Sequence, residues 1–377
     1  MKIIFFHTNL NVGGIEKSLV NLANSLSKRH EIEIVLLNKS GKLLHEVNKD
    51  IKISEAESKL NVFGMSKNDS KKRGLFSYIK RNFYALVKKH AKNDRWIGRV
   101  IRKTNKTYEC DVAVSYTDDM FLAHFVLEKT SARKKFMFYH SDFRNKRFKN
   151  EDYINTALKF DKYICVSKSC KDVAVKCSPK LASIADYLYN SVYIPITEEK
   201  YIYNEDFFNV LTVARVSEEK RIDWAVEIIA RLIKEGYNVR YYICGGGKDF
   251  NKIKDKIAAL GLTNSIFLLG EQKNPYKYMF GADLITLLSR TESFGIALIE
   301  GMLLGVPCLT TNTVSAKEVV GNYGFVCEHD KESIYLKLKE ILNERKLLEE
   351  KKILLKNFTF NNEENLKRME KFCETDN

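Results

Sequence analysis

Proline and long apolar runs are both scarce in this sequence of 377 residues. Only 4 prolines and 18 glycines occur, which argues against a proline-rich linker or a low-complexity tail. No run approaches the roughly 18 uninterrupted apolar residues that span a bilayer. The opening MKIIFFHTNLNVGG has too short an apolar stretch for a signal peptide and lacks a small-residue cleavage site. We interpret it as a first strand and expect a cytoplasmic chain.

Paired cysteines are also missing. The eight cysteines contain no Cys-x-x-Cys pair, and Cys165, Cys244 and Cys308 lie in apolar runs, where a free cysteine behaves as a small hydrophobe. This spacing argues against a metal cluster or a disulfide framework. The sequence also lacks an Asp-x-Asp triplet that would hold a metal ion. We therefore expect no metal.

Acidic residues are rare between positions 67 and 106, in a chain whose formal net charge is +15. This segment contains 14 Lys or Arg against two Asp, with aromatic and aliphatic residues at three-to-four spacing. Such a pattern is typical of basic amphipathic helices that bind anionic membrane surfaces. The alternative is a solvated face on ordinary core helices. Since no nucleic-acid module accompanies the charge, we expect no nucleic-acid partner.

Alternating strand and helix patterns are present in both halves of the chain. Short apolar runs followed by amphipathic segments predict parallel βαβ units with helices on both faces of each sheet. In the second half, for example, we predict a helix at Ile222–Lys234 and a strand at Val239–Cys244. The chain is long enough for two domains. We predict an α/β protein with two doubly wound Rossmann-like domains, 1–195 and 196–357, facing each other across a cleft. A helix is predicted from Glu340 to Leu355, and the segment 358–377 is predicted to be a further helix that packs back toward the first domain.

Two glutamates, Glu292 and Glu300, follow an apolar strand of the second half. If a helix runs from Phe294 to Leu304, eight helical steps separate them by about 12 Å. That exceeds the roughly 5–5.5 Å between the carboxylates of a retaining glycosidase. The spacing therefore favours two carboxylates gripping opposite ends of an extended ligand. Gly295, at the helix start, would let that ligand approach the backbone and its N–H groups. Two solvated surface acids are the alternative.

Cations and glycines follow the other strands of this half. Arg215 and Lys220 lie on a loop after a strand, where they would suit a diphosphate, although two solvated loop cations are the alternative. Gly246 is central to a three-glycine turn between a strand and a helix, which suits a nucleotide-side loop. The turn does not fit G-x-G-x-x-G and is weak evidence alone.

The first half offers two similar positions. Gly13 and Gly14 lie on the first strand-to-helix turn, which a tight turn alone would also explain. His140 follows a strand in Phe-Tyr-His-Ser-Asp. A lone histidine is more often structural or solvated, so only the flanking residues favour a functional role for His140.

These motifs together resemble glycosyltransferase family 4. The segment ESFGIALIEGMLLGVP, from Glu292 to Pro307, resembles the family's E-x7-E signature. The resemblance implies a retaining enzyme of the GT-B fold, with Glu300 on the nucleotide ribose and Glu292 beside the transferred sugar. Phe294 and Gly295 lie between them on the donor side.

The resemblance extends to the other motifs. Arg215 and Lys220 match the family's diphosphate-binding cations, and Gly246 lies in its turn beside the donor base. The Gly13-Gly14 turn resembles the loop that faces the donor phosphates and the acceptor, and His140 resembles the active-site histidine near the sugar.

The sequence departs from the family at two places. Ala214 replaces a more usual glycine, and the loop Thr313-Val-Ser-Ala-Lys-Glu318 lacks the glycine often found before this glutamate. The second departure leaves the donor-sugar contacts there undefined. Between residues 40 and 108 no family landmark occurs.

The resemblance implies transfer of a sugar from a nucleotide-diphosphate donor, UDP-linked by expectation, to a saccharide or lipid-linked acceptor in bacterial surface polysaccharide synthesis. Lys220, Arg215 and the Gly13-Gly14 turn would stabilise the leaving diphosphate, while His140 and Glu292 orient the sugar, without a metal. The basic segment adds an expected peripheral location on the inner face of the membrane. Two alternatives stay open: a sugar-nucleotide epimerase or hydrolase of the same fold, and a non-enzymatic protein that binds membranes or polyanions.

Overall fold

The computed structural model describes residues 1–57, 60–61, 70–71, 74–90, 94–141, 150–196 and 198–374. The chain splits into two compact units. Unit 1 comprises Met1–Ser191 and Asn362–Asn377, and unit 2 comprises Val192–Asn361. Each unit has its own parallel sheet and its own hydrophobic core.

Strands and helices alternate along both units. The strands are β1 (Lys2–His7), β2 (Glu31–Leu36), β3 (Lys52–Glu55), β4 (Tyr108–Ser115), β5 (Thr130–Tyr139), β6 (Lys162–Cys165), β7 (Ala185–Tyr187), β8 (Phe208–Val213), β9 (Val239–Cys244), β10 (Ile266–Gly270), β11 (Leu284–Leu287), β12 (Cys308–Thr311) and β13 (Phe325–Cys327). The helices are α1 (Gly14–Leu26), α2 (Leu75–His90), α3 (Asp94–Arg102), α4 (Met120–Lys129), α5 (Glu151–Ala157), α6 (Lys168–Cys177), α7 (Ile222–Lys234), α8 (Phe250–Ala259), α9 (Tyr276–Met279), α10 (Ile296–Leu303), α11 (Ala316–Val320), α12 (Lys331–Asn343), α13 (Arg345–Leu355) and α14 (Asn362–Cys373). Short 3₁₀ helices lie at Lys42–Glu46, Pro179–Ser183 and Glu218–Lys220.

The sheet of unit 1 has seven strands in the order β3-β2-β1-β4-β5-β6-β7. Every pairing is parallel. Strands of such a sheet are covered by helices on both faces, which explains why β1 is the continuous apolar run KIIFFH, buried at five of six positions. The predicted doubly wound α/β architecture is confirmed for this unit.

Helix α14 completes the core of unit 1. Its Leu366, Met369 and Phe372 are buried in the same cluster as the strands of that unit. Nη2 of Arg368 donates to Oδ1 of Asp186, within β7, at 2.5 Å. The helix is shorter than the predicted segment 358–377, since α14 spans Asn362–Cys373.

Unit 2 has a six-stranded parallel sheet in the order β10-β9-β8-β11-β12-β13. A small polar network crosses its middle, because the Thr212 hydroxyl lies 2.7 Å from both the Tyr241 and the Thr286 hydroxyls. This network satisfies polar groups that burial would otherwise leave without partners. The GT-B class of fold predicted from the sequence is thus built from two doubly wound units.

The C-terminal part of unit 2 differs from its predicted form. A single helix was expected from Glu340 to Leu355, but α12 ends at Asn343 and α13 begins at Arg345. Glu344 separates them with φ −113° and ψ 72°, which is not helical. The prediction was wrong because both helices carry the same apolar periodicity across the break.

Candidate active site

The strand order of each sheet reverses between two neighbouring strands. These are β1 and β4 in unit 1, and β8 and β11 in unit 2. In doubly wound sheets, the loops that leave the carboxyl ends of such strands diverge and form a crevice for a ligand. Arg215 and Lys220 follow β8, and Glu292 follows β11. These three predicted residues of unit 2 therefore lie at its switch point.

Lys220 and Glu292 form an ion pair at this switch point. Nζ of Lys220 donates to Oε2 of Glu292 at 2.5 Å, and the two side chains are 23% and 16% exposed. The hydroxyl of Ser289 donates to the same oxygen at 3.4 Å. The two loops are also joined through their backbones, since the amide of Arg290 donates to the carbonyl of Glu219 at 2.7 Å. The cation is thus pre-positioned while still reachable from solvent.

Arg215 supplies a second cation on the loop that also carries Lys220, and the glycine turn holds this loop. The amide of Ala214 donates to the carbonyl of Cys244 at 3.1 Å, and the amide of Val216 donates to that of Gly246 at 2.8 Å. Arg215 lies between these two bonds with its side chain exposed. Its backbone is therefore fixed on both sides, while its guanidinium can reach a solvent-borne anion.

The three glycines of the turn after β9 have different roles. Gly245 and Gly247 have φ of 153° and 157°, and a Cβ on them would lie 1.9 and 2.2 Å from the carbonyl oxygens of Ala214 and Val216. Both are required for the close approach of the two loops. A Cβ on Gly246 would meet only Cβ of Glu271, at 3.7 Å. Of the three, Gly246 has room beside it, and the sequence assigned it to ligand binding.

The helical geometry predicted for Glu292 and Glu300 is wrong. Helix α10 begins at Ile296, not at Phe294, and Gly295 precedes it in the left-handed conformation, with φ 83°. Glu292 therefore lies in the loop before the helix, and only Glu300 lies on it. The 12 Å rise estimated for eight helical residues does not apply to this pair. Instead of a continuous helix, these residues form a loop between β11 and α10 that bends at Gly295.

Helix α10 begins without a side-chain cap. Asp119, Ser167 and Asp330 cap helices α4, α6 and α12 by accepting from backbone amides. Gly295 has no side chain to do so at α10. The first amides of an α-helix lack partners within the helix, so this end suits an oxygen-rich ligand.

Glu300 is held inside unit 2 by a tyrosine that the sequence analysis missed. The Glu300 side chain is 4% exposed overall, and its Oε1 accepts from the Tyr276 hydroxyl at 2.8 Å. A buried carboxylate needs hydrogen bonds, and this one fixes the orientation of the group. Tyr276 opens the short helix α9, and no spacing in the sequence connects it with position 300.

Phe294 packs inside unit 2. It is 3% exposed, and its ring lies edge-on to that of Phe360 with centroids 6.2 Å apart. A ligand would meet the backbone of Phe294 and not its ring. The side chain of Ser315 supports the same loop, because its hydroxyl donates to the carbonyl of Glu292 at 3.4 Å. The sequence had placed Phe294 among the ligand-binding residues for its position alone.

His140 follows β5 of unit 1 and is buried among aromatic rings. Its ring stacks on Phe138, with centroids 5.8 Å apart, and lies 4.9 Å from the ring of Tyr116. Burial, and then the neighbouring His7, lower the pKa of His140 to about 3, although a hydrogen bond with the Tyr116 backbone opposes them. The imidazole is therefore neutral near pH 7, with one N–H donor and one acceptor nitrogen.

A buried polar chain follows the ends of β1 and β4 in the same unit. The Tyr116 hydroxyl lies 2.8 Å from that of Ser18, and Ser18 donates to Oδ1 of Asn190 at 2.7 Å. Since Ser18 donates to Asn190, the tyrosine donates to the serine. The chain ties α1 to the segment after β7. The sequence analysis missed this chain, because Ser18, Tyr116 and Asn190 are separated by long stretches of sequence.

The Gly13-Gly14 turn lies between β1 and α1, as predicted. Glu16 folds back over it, and its Oε2 lies 2.2 Å from where a Cβ of Gly13 would be. Oε1 of Glu16 is 3.7 Å from Nε2 of His7, which is buried. A phosphate at this turn would meet the negative charge of Glu16. The turn suits a neutral hydroxyl better than the leaving diphosphate that the sequence analysis assigned to it.

The Phe-Tyr-His-Ser-Asp motif of unit 1 is only partly described. His140 and Ser141 lie within the described residues, whereas Asp142 lies outside them. Within the described part of the chain, no three His, Cys, Asp or Glu side chains are grouped so that they could hold a metal ion.

Comparison with known proteins points to one group of enzymes. Residues 195–354 match the family described as glycosyl transferases group 1. Over 121 residues the chain is 31% identical to the N-acetyl-alpha-D-glucosaminyl L-malate synthase of Bacillus anthracis, covering 32% of each protein. Over 177 residues it is 30% identical to the N-acetylgalactosamine-N,N'-diacetylbacillosaminyl-diphospho-undecaprenol 4-alpha-N-acetylgalactosaminyltransferase of Campylobacter jejuni, covering 45% of this chain and 47% of that one.

The solved structures extend the likeness to the whole chain. The crystal structure of Anabaena Alr3699/HepE in complex with UDP superposes with a TM-score of 0.67 at 16% identity, covering 98% of this chain and 99% of that one. The two curated relatives are matched over only about a third to a half of their length. The chain therefore has the GT-B fold, and residues 195–354 of its second unit match the glycosyl transferases group 1 family.

Proposed function

We propose that this chain is a retaining glycosyltransferase that moves a sugar from a nucleotide-diphosphate donor to a saccharide or lipid-linked acceptor. The observation that carries the proposal is the Lys220–Glu292 pair at the switch point of unit 2, inside the segment that matches the group 1 family. The complex of Anabaena Alr3699/HepE with UDP supports a UDP-linked donor.

Lys220 and Arg215 would neutralise the departing diphosphate. A leaving diphosphate gains charge as the bond to the sugar breaks, so cations already in place stabilise the transition state more than the ground state. Lys220 is held by Glu292, and Arg215 is fixed through its backbone, so neither needs a large rearrangement. With these two cations the proposal includes no metal ion, and turnover should persist in a chelator.

Glu300 would bind the ribose of the donor. A carboxylate accepts hydrogen bonds only, and two vicinal hydroxyls match it in geometry. The bond from Tyr276 fixes the orientation of the buried carboxylate. The base would lie by Gly246, where a side chain is absent and space remains. Glu292 would orient the sugar from the loop before α10.

The proposed reaction retains the anomeric configuration by a front-face route. The bond from the anomeric carbon to the diphosphate oxygen breaks, and the acceptor oxygen bonds to the same face of that carbon. The acceptor proton passes to the departing phosphate oxygen. Glu292 acts here as the partner of Lys220 rather than as a nucleophile. In unit 1, the neutral His140 and the Gly13-Gly14 turn are assigned to sugar and acceptor hydroxyls.

The acceptor class is proposed to include lipid-linked saccharides of bacterial surface polysaccharide synthesis. The Campylobacter jejuni relative is named for a saccharide linked to diphospho-undecaprenol. An acceptor of that kind is held at a bilayer, so the enzyme would work as a peripheral protein on the cytoplasmic face of the membrane. The basic segment between residues 67 and 106 is consistent with such a location.

The test is a nucleotide-sugar screen by thermal shift, followed by mass and anomeric NMR analysis of products formed with and without membrane extract. A glycosylated product with the donor's anomeric configuration is the expected result. Donor turnover without any acceptor would instead favour an epimerase or hydrolase. No stabilisation by any nucleotide sugar would leave a non-enzymatic protein that binds membranes or polyanions.

A further inference from the structure

Helix α2 of unit 1 presents large apolar side chains to solvent. Leu75, Phe76, Ile79 and Phe83 are 74%, 80%, 57% and 59% exposed. At about 100° per residue, the four side chains fall within an arc of roughly 100° on one side of the helix. We call these four residues the docking face. Within the described part of the chain, no other phenylalanine side chain is exposed.

A contiguous apolar face of this kind needs a partner. Soluble proteins rarely expose large apolar patches unless the patch binds something. Across the described ranges, no helix combines the length and the apolar character that a membrane span requires. The docking face is therefore suited to lie on a surface rather than to cross one.

The charge around the docking face limits the kind of partner. No acidic residue occurs between Asp69 and Asp94, while Lys71, Lys80 and Arg81 are among the basic residues of this stretch. Lys80 and Arg81 lie on the docking helix itself, and both are partly exposed. Basic side chains flanking an apolar arc complement anionic headgroups above an acyl layer.

We propose that the docking face of α2 seats in the headgroup layer of an anionic lipid bilayer, with the helix parallel to the surface. Phe76 and Phe83 enter the boundary between headgroups and acyl chains, and Lys80 and Arg81 contact lipid phosphates. This surface deepens the proposed function, on which it rests for its purpose, since a lipid-linked acceptor is reached from the bilayer. Binding of the bilayer itself does not require catalysis.

Vesicle flotation of the full chain tests this surface. Wild-type protein is expected to float with phosphatidylglycerol–phosphatidylcholine vesicles at low salt, and much less with phosphatidylcholine alone. The double variant Phe76→Ser/Phe83→Ser should lose at least about tenfold in partitioning, because two apolar side chains no longer enter the bilayer. Lys80→Gln/Arg81→Gln should remove most of the dependence on anionic lipid.

The matched control replaces equally exposed apolar residues elsewhere. Leu336 and Ile353, on α12 and α13 of unit 2, are 55% and 60% exposed. The variant Leu336→Ser/Ile353→Ser should float like wild type. As a second readout, Phe76→Trp should show fluorescence quenching by brominated lipids in excess of that in Leu336→Trp. Unchanged melting temperatures confirm that the variants fold.

Several outcomes would overturn the proposal. Wild type that does not float, or a Phe76→Ser/Phe83→Ser variant that floats as well as wild type, excludes the docking face as a membrane surface. A wild-type dimer that this variant converts to a monomer, without vesicle binding, assigns the face to a second copy of the chain. UDP affinity measured in vesicle-free buffer separates the two proposals: UDP binding without flotation leaves the proposed function standing, and flotation without UDP binding leaves only the membrane surface.

Discussion

Nζ of Lys220 lies 2.5 Å from Oε2 of Glu292, and this pair joins the loops after β8 and β11. The pair neutralises the lysine before any ligand arrives. A diphosphate would meet a cation whose position is already set, and it would share that cation with the carboxylate. Pre-positioned charge of this kind stabilises a transition state without reorganisation at the moment of reaction.

Replacing either partner of this pair should affect turnover more than folding. We expect Lys220→Ala to lower kcat about 10²–10³-fold, as the loss of a pre-positioned charge stabiliser typically does. Lys220→Arg should recover part of that loss, since the charge remains but the geometry differs. Steady-state kinetics on the transfer reaction measure both.

A double-mutant cycle with Glu292→Gln distinguishes the pair from two independent residues. The effects of Lys220→Ala and Glu292→Gln should be strongly non-additive because the side chains touch. Arg231→Ala is a suitable control, since Arg231 pairs with Glu332 at 2.7 Å between α7 and α12 of the same unit and, within the described part of the chain, makes no bond to Lys220 or Glu292. Additive effects, or an equal loss in the control, would contradict the assignment.

The Tyr276–Glu300 hydrogen bond should control donor affinity. Tyr276→Phe removes the hydroxyl that fixes the Glu300 carboxylate and leaves a buried acceptor one bond short, which costs about 1–3 kcal/mol. We expect the KM for the donor to rise roughly tenfold with little change in kcat, since ribose binding is the same in ground and transition states. A kcat defect with unchanged KM would place Glu300 elsewhere in the reaction.

The glycine turn after β9 should separate folding from binding. Gly245→Ala and Gly247→Ala force a Cβ against backbone carbonyl oxygens, so each should destabilise unit 2 by roughly 2 kcal/mol or more. Gly246→Ala makes only an ordinary contact with Glu271 and should keep the wild-type melting temperature. Its cost should appear as weaker donor binding in titration calorimetry. A Gly246→Ala variant with wild-type affinity would remove this turn from the donor site.

The free energy of unfolding of unit 1 should decrease as the pH falls, because of His140. The folded-state pKa is about 3, below the ordinary value of 6.5, so the unfolded chain binds the proton first. The stability that the neutral histidine contributes is fully present above about pH 6.5 and is lost as the pH falls toward 3. The loss reaches about 2 kcal/mol at pH 5. Chemical denaturation of wild type and His140→Phe at pH 7.5 and 5.0 measures it.

His140→Phe keeps the stack on Phe138 but cannot take up a proton. The variant should lose less stability than wild type between the two pH values, and the histidines that do not interact with His140 cancel in the comparison. Identical pH dependence in the two proteins would show that His140 is not buried as a neutral group.

Much of the fold could be predicted from the sequence, because buried parallel strands are short apolar runs between amphipathic helices. The bounds of β9 and α7 agree with those predicted. The short strands β3, β7 and β13 were not predicted: each has only three or four residues and lies at or near a sheet edge. Edge pairing depends on neighbouring strands rather than on local pattern.

The sequence predicted which loops carry the residues of the candidate site, but not which of their side chains contact each other. Arg215, Lys220 and Glu292 were placed after the correct strands, since strand ends can be recognised locally. The pairing of Lys220 with Glu292 spans 72 residues of sequence, and that of Tyr276 with Glu300 spans 24. Such contacts depend on the order of strands in the sheet, which a single sequence does not reveal.

Titration calorimetry of UDP, GDP and ADP against wild type, Lys220→Ala and the control Arg231→Ala tests whether the switch point of unit 2 binds a nucleoside diphosphate through Lys220. We expect one of these nucleotides to bind wild type and Arg231→Ala, with affinity at least about tenfold weaker in Lys220→Ala. Equal affinity in all three proteins would contradict this role of Lys220.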